Sequence, residues 1–279
     1  MIKFQRLGIE ICLIIFITVL ISSITDLLYT KNVVFYISSI KEKIYYLLNP
    51  SEVTIYFSNG SSAPFLEFFL KPYLNTIKIL LSSILLTLVM AIVLSYLYVF
   101  NNVAKYIINV LFAIAEQLPD VLMIIIFQVL ILYIFVETDI LIFNVINTGT
   151  TSIFWLPLFV LSAFPITYLL KFFILYLNEQ IEKPYYLFCK AKGFSELYCI
   201  KNHAVRNFLS PALLTIKNIC FLMISNLLII ELIVNNYGVI HVIKHYGLSN
   251  STIFLFSILL LFGPFWLFFR SLEVMIERK

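Results

Sequence analysis

Charge is scarce in this chain. Asp, Glu, Lys and Arg fill 12% of its 279 positions, about half the share usual in a soluble domain. That scarcity excludes a disordered segment, which needs few hydrophobes, and a nucleic-acid-binding module, which needs dense positive charge. The net charge of +4 is too small to mark a polyanionic partner. Glycine is scarce too, with seven residues, and no Lys is followed by Ser or Thr. A phosphate-binding loop of the glycine-rich Lys-Ser/Thr type is therefore missing, and ATP is not bound by that route. No Ser-His-Asp or His-Glu-x-x-His constellation is visible, so neither a catalytic residue nor a cofactor is expected. Cysteine is limited to four residues. Cys189 and Cys199 lie ten apart with only His203 nearby, a poor zinc spacing, and all four are read as inert thiols with no metal. What abounds is apolar surface: 62% of residues are hydrophobic and the mean hydropathy is +1.01. This is an integral membrane protein.

A spanning helix needs roughly 20 mostly apolar residues. Six segments qualify, giving an all-α polytopic fold: about Leu7 to Leu28, Leu74 to Phe100, Tyr106 to Val136, Ile153 to Leu175, Phe208 to Val234, and Ser251 to Phe269. The first has a basic start (Lys3, Arg6) but no small-residue cleavage site after it, so it reads as a retained helix. With both termini cytoplasmic, thirteen Lys and Arg residues fall inside and six outside, as the positive-inside rule requires. More than half of the inner bases lie between Lys171 and Lys217, in and beside the one long inner loop.

That loop has readable punctuation. Pro184 breaks the exit from span four, and Tyr185 to Lys192 can form a short helix with Tyr185, Phe188 and Cys189 on one face. Gly193 permits a left-handed residue, and Ser195 can cap a second helix through Glu196, Tyr198 and Ile200. Pro211 is placed near the first turn of span five.

The pattern Ala191-Lys192-Gly193, Ser195-Glu196, His203-Ala204, Arg206-Asn207 and Pro211, with Gly193 eighteen residues before Pro211, resembles the cytoplasmic signature of binding-protein-dependent ABC importer permeases. Within that family it is most similar to the branch taking up dipeptides, oligopeptides and nickel. Asn75-Thr76, Pro119, Leu156-Pro157, Glu231 and Gly238 extend the resemblance, which covers a permease core at 58–279. Residues 1–57 supply one span and part of an outer segment. The resemblance implies that the loop at 178–211 is a coupling helix between spans four and five, seated on a cytoplasmic ATPase. Tyr185, Phe188, Phe194 and Tyr198 would fill the groove of that ATPase, with Lys190, Lys192 and Glu196 setting register. It further implies a second homologous permease, because nothing repeats within the chain, and an extracytoplasmic substrate-binding protein meeting the outer loops. The setting would be a bacterial cell membrane, with lipid and no nucleic acid as partners. Leu187, Phe188, Cys189 and Ser210 depart from the family's usual residues and bear on which ATPase is used. An ATP-independent channel or carrier, or a non-transporting scaffold, are the alternatives, and both leave the loop pattern unexplained.

Ionisable groups at membrane depth are the candidate path residues, since each costs about 2.5 to 3.5 kcal/mol facing lipid at mid-span. Glu116 and Asp120 are four apart, on one face of a continuous helix that Pro119 loosens. Glu231, near the outer end of span five, is either a path acid or one that simply pairs. His241 and His245, also four apart on an outer amphipathic helix, have the spacing of a metal pair, but with Lys244 beside them and no third ligand no metal is expected, and a pH-sensitive surface contact is the alternative.

Overall fold

The computed structural model describes residues 2–57, 60–115, 117–147, 152–200, 205–247 and 250–276. It is almost entirely helical. Five helices are long and apolar enough to cross a membrane among these residues: Leu7–Leu28, Phe65–Tyr98, Trp155–Ile181, Pro211–Val234 and Ser251–Val274. They belong to α1 (Ile2–Thr30), α3 (Phe65–Phe100), α6 (Trp155–Ile181), α9 (Val205–Val234) and α11 (Ser251–Ile276). The third expected span is divided into α4 (Asn102–Ala115) and α5 (Asp120–Thr138). Pro119 does not loosen one helix there; it stands in extended conformation (φ −61°, ψ 142°) ahead of α5, where it has no amide to donate and fits a helix start.

The segment between α1 and α3 is structured. Helix α2 (Val33–Leu48) is capped by Asn32, whose side chain accepts from the Val34 amide at 2.9 Å. A 3-10 turn at Pro50–Glu52 leads to a two-stranded antiparallel ribbon, β1 (Thr54–Tyr56) with β2 (Ser62–Pro64), in which Ile55 faces Ala63. Its turn contains Gly60; Asn59 lies outside the described residues.

The chain divides into two compact units. One comprises Met1–Lys78, Ile146–Ser152 and Glu231–Lys279. Here α1 packs against α2 and α11; Ile55, Phe65 and Phe69 are buried, and Phe65 and Phe69 stack at 4.8 Å. Both acids that flank the first span have partners. Arg270 grips Glu10 with two hydrogen bonds of 2.8 Å and also reaches Glu273 at 3.0 Å. Asp26 accepts from Lys43 at 2.8 Å and Ser251 at 2.6 Å, and from Ser39. Carboxylates in a short apolar span are tolerable when paired in this way.

The other unit comprises Ile79–Val145 and Ile153–Ile230. Helix α6 packs against α4 and α5, with Leu156, Leu161, Leu169 and Leu170 buried along it. Ser83 donates to the Leu158 carbonyl at 3.3 Å and Gln128 to the Val145 carbonyl at 3.2 Å. Such side chains relieve backbone groups that have no water to turn to.

Candidate functional site

Two places gather the residues that the sequence singles out, one in each unit. The first is the loop between α6 and α9. Helix α7 (Pro184–Ala191) opens on Pro184, Gly193 follows at φ +84°, and α8 (Glu196–Cys199) begins beyond Ser195, whose hydroxyl accepts from the Tyr198 amide at 3.3 Å. A Cβ at Gly193 would meet nothing within 4 Å, so glycine is required there for its backbone angle and not for space.

Tyr186 and Cys189 are the buried pair, while Phe188 points outward at 62% exposure. Cys199 is completely buried against them, and its sulfur is bonded to that of Cys189. The expectation of two inert thiols is thus corrected: the fold-back at Gly193 brings α8 against α7. Outside this staple lies an aromatic shelf. Phe194 and Tyr198 stack at 4.6 Å, and the Lys192 ammonium sits 4.4 Å over the Phe188 ring. Lys190, Ala191 and Gly193 are exposed beside it. Tyr185 is half-buried and donates to the Gln180 side chain, so it belongs to the root of the element and not to the shelf.

The remaining signature residues are less gathered. His203 lies outside the described residues, and Arg206 and Asn207 are placed only as backbone in the first turns of α9. Pro211 lies well inside α9, not in its first turn, because the helix starts at Val205. Glu116 also lies outside the described residues, and Asp120 is placed as the first residue of α5. The continuous helical face that these two acids were expected to share is interrupted at 117–119.

The second place is the turn after α9. Glu231 is fully buried. Its carboxylate accepts from the Thr76 hydroxyl at 2.5 Å and from the Ile240 amide at 3.0 Å. The Thr76 hydroxyl accepts in turn from the Val239 amide at 2.9 Å, and Asn75 donates to the Tyr237 carbonyl at 2.9 Å. Gly238 is extended (φ −130°, ψ −162°), a conformation open to any residue; what it supplies is room, because a Cβ there would land on the Glu231 carboxylate. Asn75, Thr76, Glu231 and Gly238 therefore form one knot that ties the start of α3 to the end of α9. With these donors drawn from the protein, the Glu231 carboxylate holds the turn together.

Below this turn His241 and His245 lie with ring centroids 4.4 Å apart, and Tyr237 packs on His241 at 4.9 Å. Burial, reinforced by His245 and Lys244, holds the His241 imidazole below its ordinary pKa. Among the described residues no third His, Cys, Asp or Glu joins them in a metal-binding group.

The length from residue 73 to 279 matches the model of a family described as "Binding-protein-dependent transport system inner membrane component". The chain belongs to this family. It is a permease component of a binding-protein-dependent ABC importer, a multi-pass protein of the inner membrane. No curated protein matches it. The match begins just before Asn75-Thr76, so the permease's α1, α2 and ribbon fall outside the matched residues.

Three features escape the sequence reading. The Asp26–Lys43 pair does so because Lys43 counts there only as an outer base, and the Glu10–Arg270 pair because its members are 260 residues apart. The Cys189–Cys199 bond does so because it depends on the fold-back between two short helices.

Proposed function

We propose that this permease forms half of the path of an ATP-driven importer for peptides, peptide-like solutes or metal chelates, and that its inner loop at 178–211 transmits the work of a cytoplasmic ATPase. The observation carrying the proposal is the helix–Gly193–helix element, which projects Phe188, Phe194 and Tyr198 out of the fold at 45–62% exposure. Bulky apolar side chains on a rigid, stapled mount are what a groove-filling contact needs, with Lys190 and Lys192 at the rim. Ser195 caps the short second helix, Glu196 joins Lys190 and Lys192 in setting register, and Arg206, Asn207 and Pro211 belong to the start of α9 that follows. Both termini are cytoplasmic in this reading, the second half of the path comes from another permease chain, and a substrate-binding protein delivers cargo on the outer side. The acids at the α4–α5 break, Glu116 and Asp120, with Pro119 between them, border the path and favour a positively charged substrate end.

Replacing Phe188 and Tyr198 together by Ala in the reconstituted importer should abolish co-purification of the ATPase and ATP-dependent uptake while the permease still inserts. Retained ATPase binding removes the coupling role. Uptake by the chain alone in vesicles without ATP sinks the importer reading in favour of a carrier. Glu116→Gln with Asp120→Asn should reduce uptake and leave assembly intact; unchanged uptake removes the path role.

A further inference from the structure

Helix α2 carries its polarity reversed. On the side packed against α1, Ser39 and Lys43 are buried, Lys43 to 1% exposure. The Lys43 ammonium spends its three protons on Ser23 at 3.0 Å, Asp26 at 2.8 Å and Ser39 at 2.8 Å. On the opposite side Val33, Ile37, Ile44 and Leu48 are exposed by 65%, 52%, 47% and 79%. Their spacing of four, seven and four residues draws one stripe along the helix. A helix facing water turns the other way, apolar side in and charges out.

The depth of α2 follows from its partners. Only Lys31 and Asn32 separate it from α1. Asp26 meets Ser39 and Ser23 meets Lys43, so α2 runs antiparallel, back along the last turns of α1. Those turns belong to the apolar span Leu7–Leu28. There α1 exposes Ile21, Ile24 and Leu28 as well, so the stripe of α2 continues an apolar surface that the spanning helix itself leaves uncovered. At 16 residues α2 is too short to cross.

From this geometry we infer that α2 is an interfacial helix seated in the leaflet at the C-terminal end of α1, its Val33–Ile37–Ile44–Leu48 stripe in contact with lipid acyl chains. In the topology proposed above this is the outer leaflet. Such a helix sinks its apolar face about 5–10 Å into the headgroup and acyl boundary. Lys41, exposed beside the stripe, extends its ammonium to the headgroup phosphates. The Lys43–Asp26 pair then sits on the dry side of the hairpin, where both groups need every partner they have.

The assembled importer in phosphatidylcholine and phosphatidylglycerol nanodiscs tests this. With Cys12 replaced by Ser, nitroxides are placed singly at Ile37, Ile44 and Leu48 and, as controls, at Ser38 and Glu42. Collision with oxygen should exceed collision with a water-soluble nickel chelate several-fold on the stripe and fall towards parity at the controls. Stripe positions as open to the nickel chelate as Glu42 overturn the inference in favour of a water-facing surface. Positions shielded from both reagents overturn it in favour of a protein partner. The unmodified chain gives a second reading: a phospholipid with a photoactivatable diazirine on its acyl chain should mark the 33–48 peptide as strongly as the α1 peptide, and an unmarked 33–48 peptide overturns the inference.

Discussion

Gly238→Ala should destabilise the permease through a contact and not through the backbone. The residue is extended, at angles any amino acid adopts, so an added methyl brings no conformational strain. It brings a collision with the Glu231 carboxylate, which is fully buried and cannot retreat into solvent. Either the 236–240 turn moves, at an overpacking cost of about 1–3 kcal/mol, or Glu231 leaves the Thr76 hydroxyl and the Ile240 amide, exposing buried donors at about 1–3 kcal/mol. Thermal unfolding of the purified permease in nanodiscs, alone and with Glu231→Ala, measures the effect as a double-mutant cycle. Once Glu231 is truncated the methyl has space, so the Gly238→Ala penalty should largely vanish and the two changes should be strongly non-additive. A penalty that persists unchanged without the Glu231 side chain refutes the contact argument. So does a Gly238→Ala variant as stable as the parent.

Gly193→Ala probes the opposite case: its Cβ would meet empty space but φ is +84°, so a cost of about 1–2 kcal/mol should appear as backbone strain, checked by comparing Gly193→Ala with Gly193→Asn, which tolerates the angle better. His241 should make stability pH-dependent. Its folded pKa lies below the ordinary 6.5, so the unfolded chain binds the proton first and stability should fall as pH drops from 6.5 towards the folded value; melting curves of His241→Gln should lose that slope. In a chain carrying Cys12→Ser and Cys220→Ser, Cys189 and Cys199 should resist a maleimide in native vesicles and react only after denaturation with a reductant; labelling of that chain when denatured but unreduced would refute the pairing.

What could be read from sequence was local. Pro184, Gly193 and Ser195 each act on the few residues beside them, and α7, the left-handed glycine and α8 lie where those residues put them. Which side of α7 is covered was not legible locally, because only the arrival of Cys199 against Tyr186 and Cys189 decides it. Long-range convergence left no local trace. Thr76 and Glu231 are 155 residues apart, and nothing near either one announces that a glycine has been left empty to make room for the carboxylate. Pro119 was read as a flaw within one helix when its missing amide suits the start of a second, and Pro211 was placed too early because α9 begins before the apolar run does. The reversed polarity of α2 was hidden for a different reason: counting Lys43 as an outer base assigns it to water, whereas its three hydrogen bonds remove it from water.

An ionisable residue in a span is ordinarily taken as a mark of the transported solute's route. In this permease that inference needs one more step, because the same scarcity of charge that identifies the membrane protein makes each charge valuable as a fastener. Glu10 is held by Arg270 from α11, Asp26 by Lys43 from α2 and Ser251 from α11, and Glu231 by Thr76 from α3. Each joins helices far apart in sequence, in surroundings where an unpaired carboxylate would be costly and where apolar packing alone gives little preference for one register over another. A carboxylate already committed to protein donors has less left to offer a passing solute, so in the reading proposed above the break between α4 and α5 is the first place to test for the route.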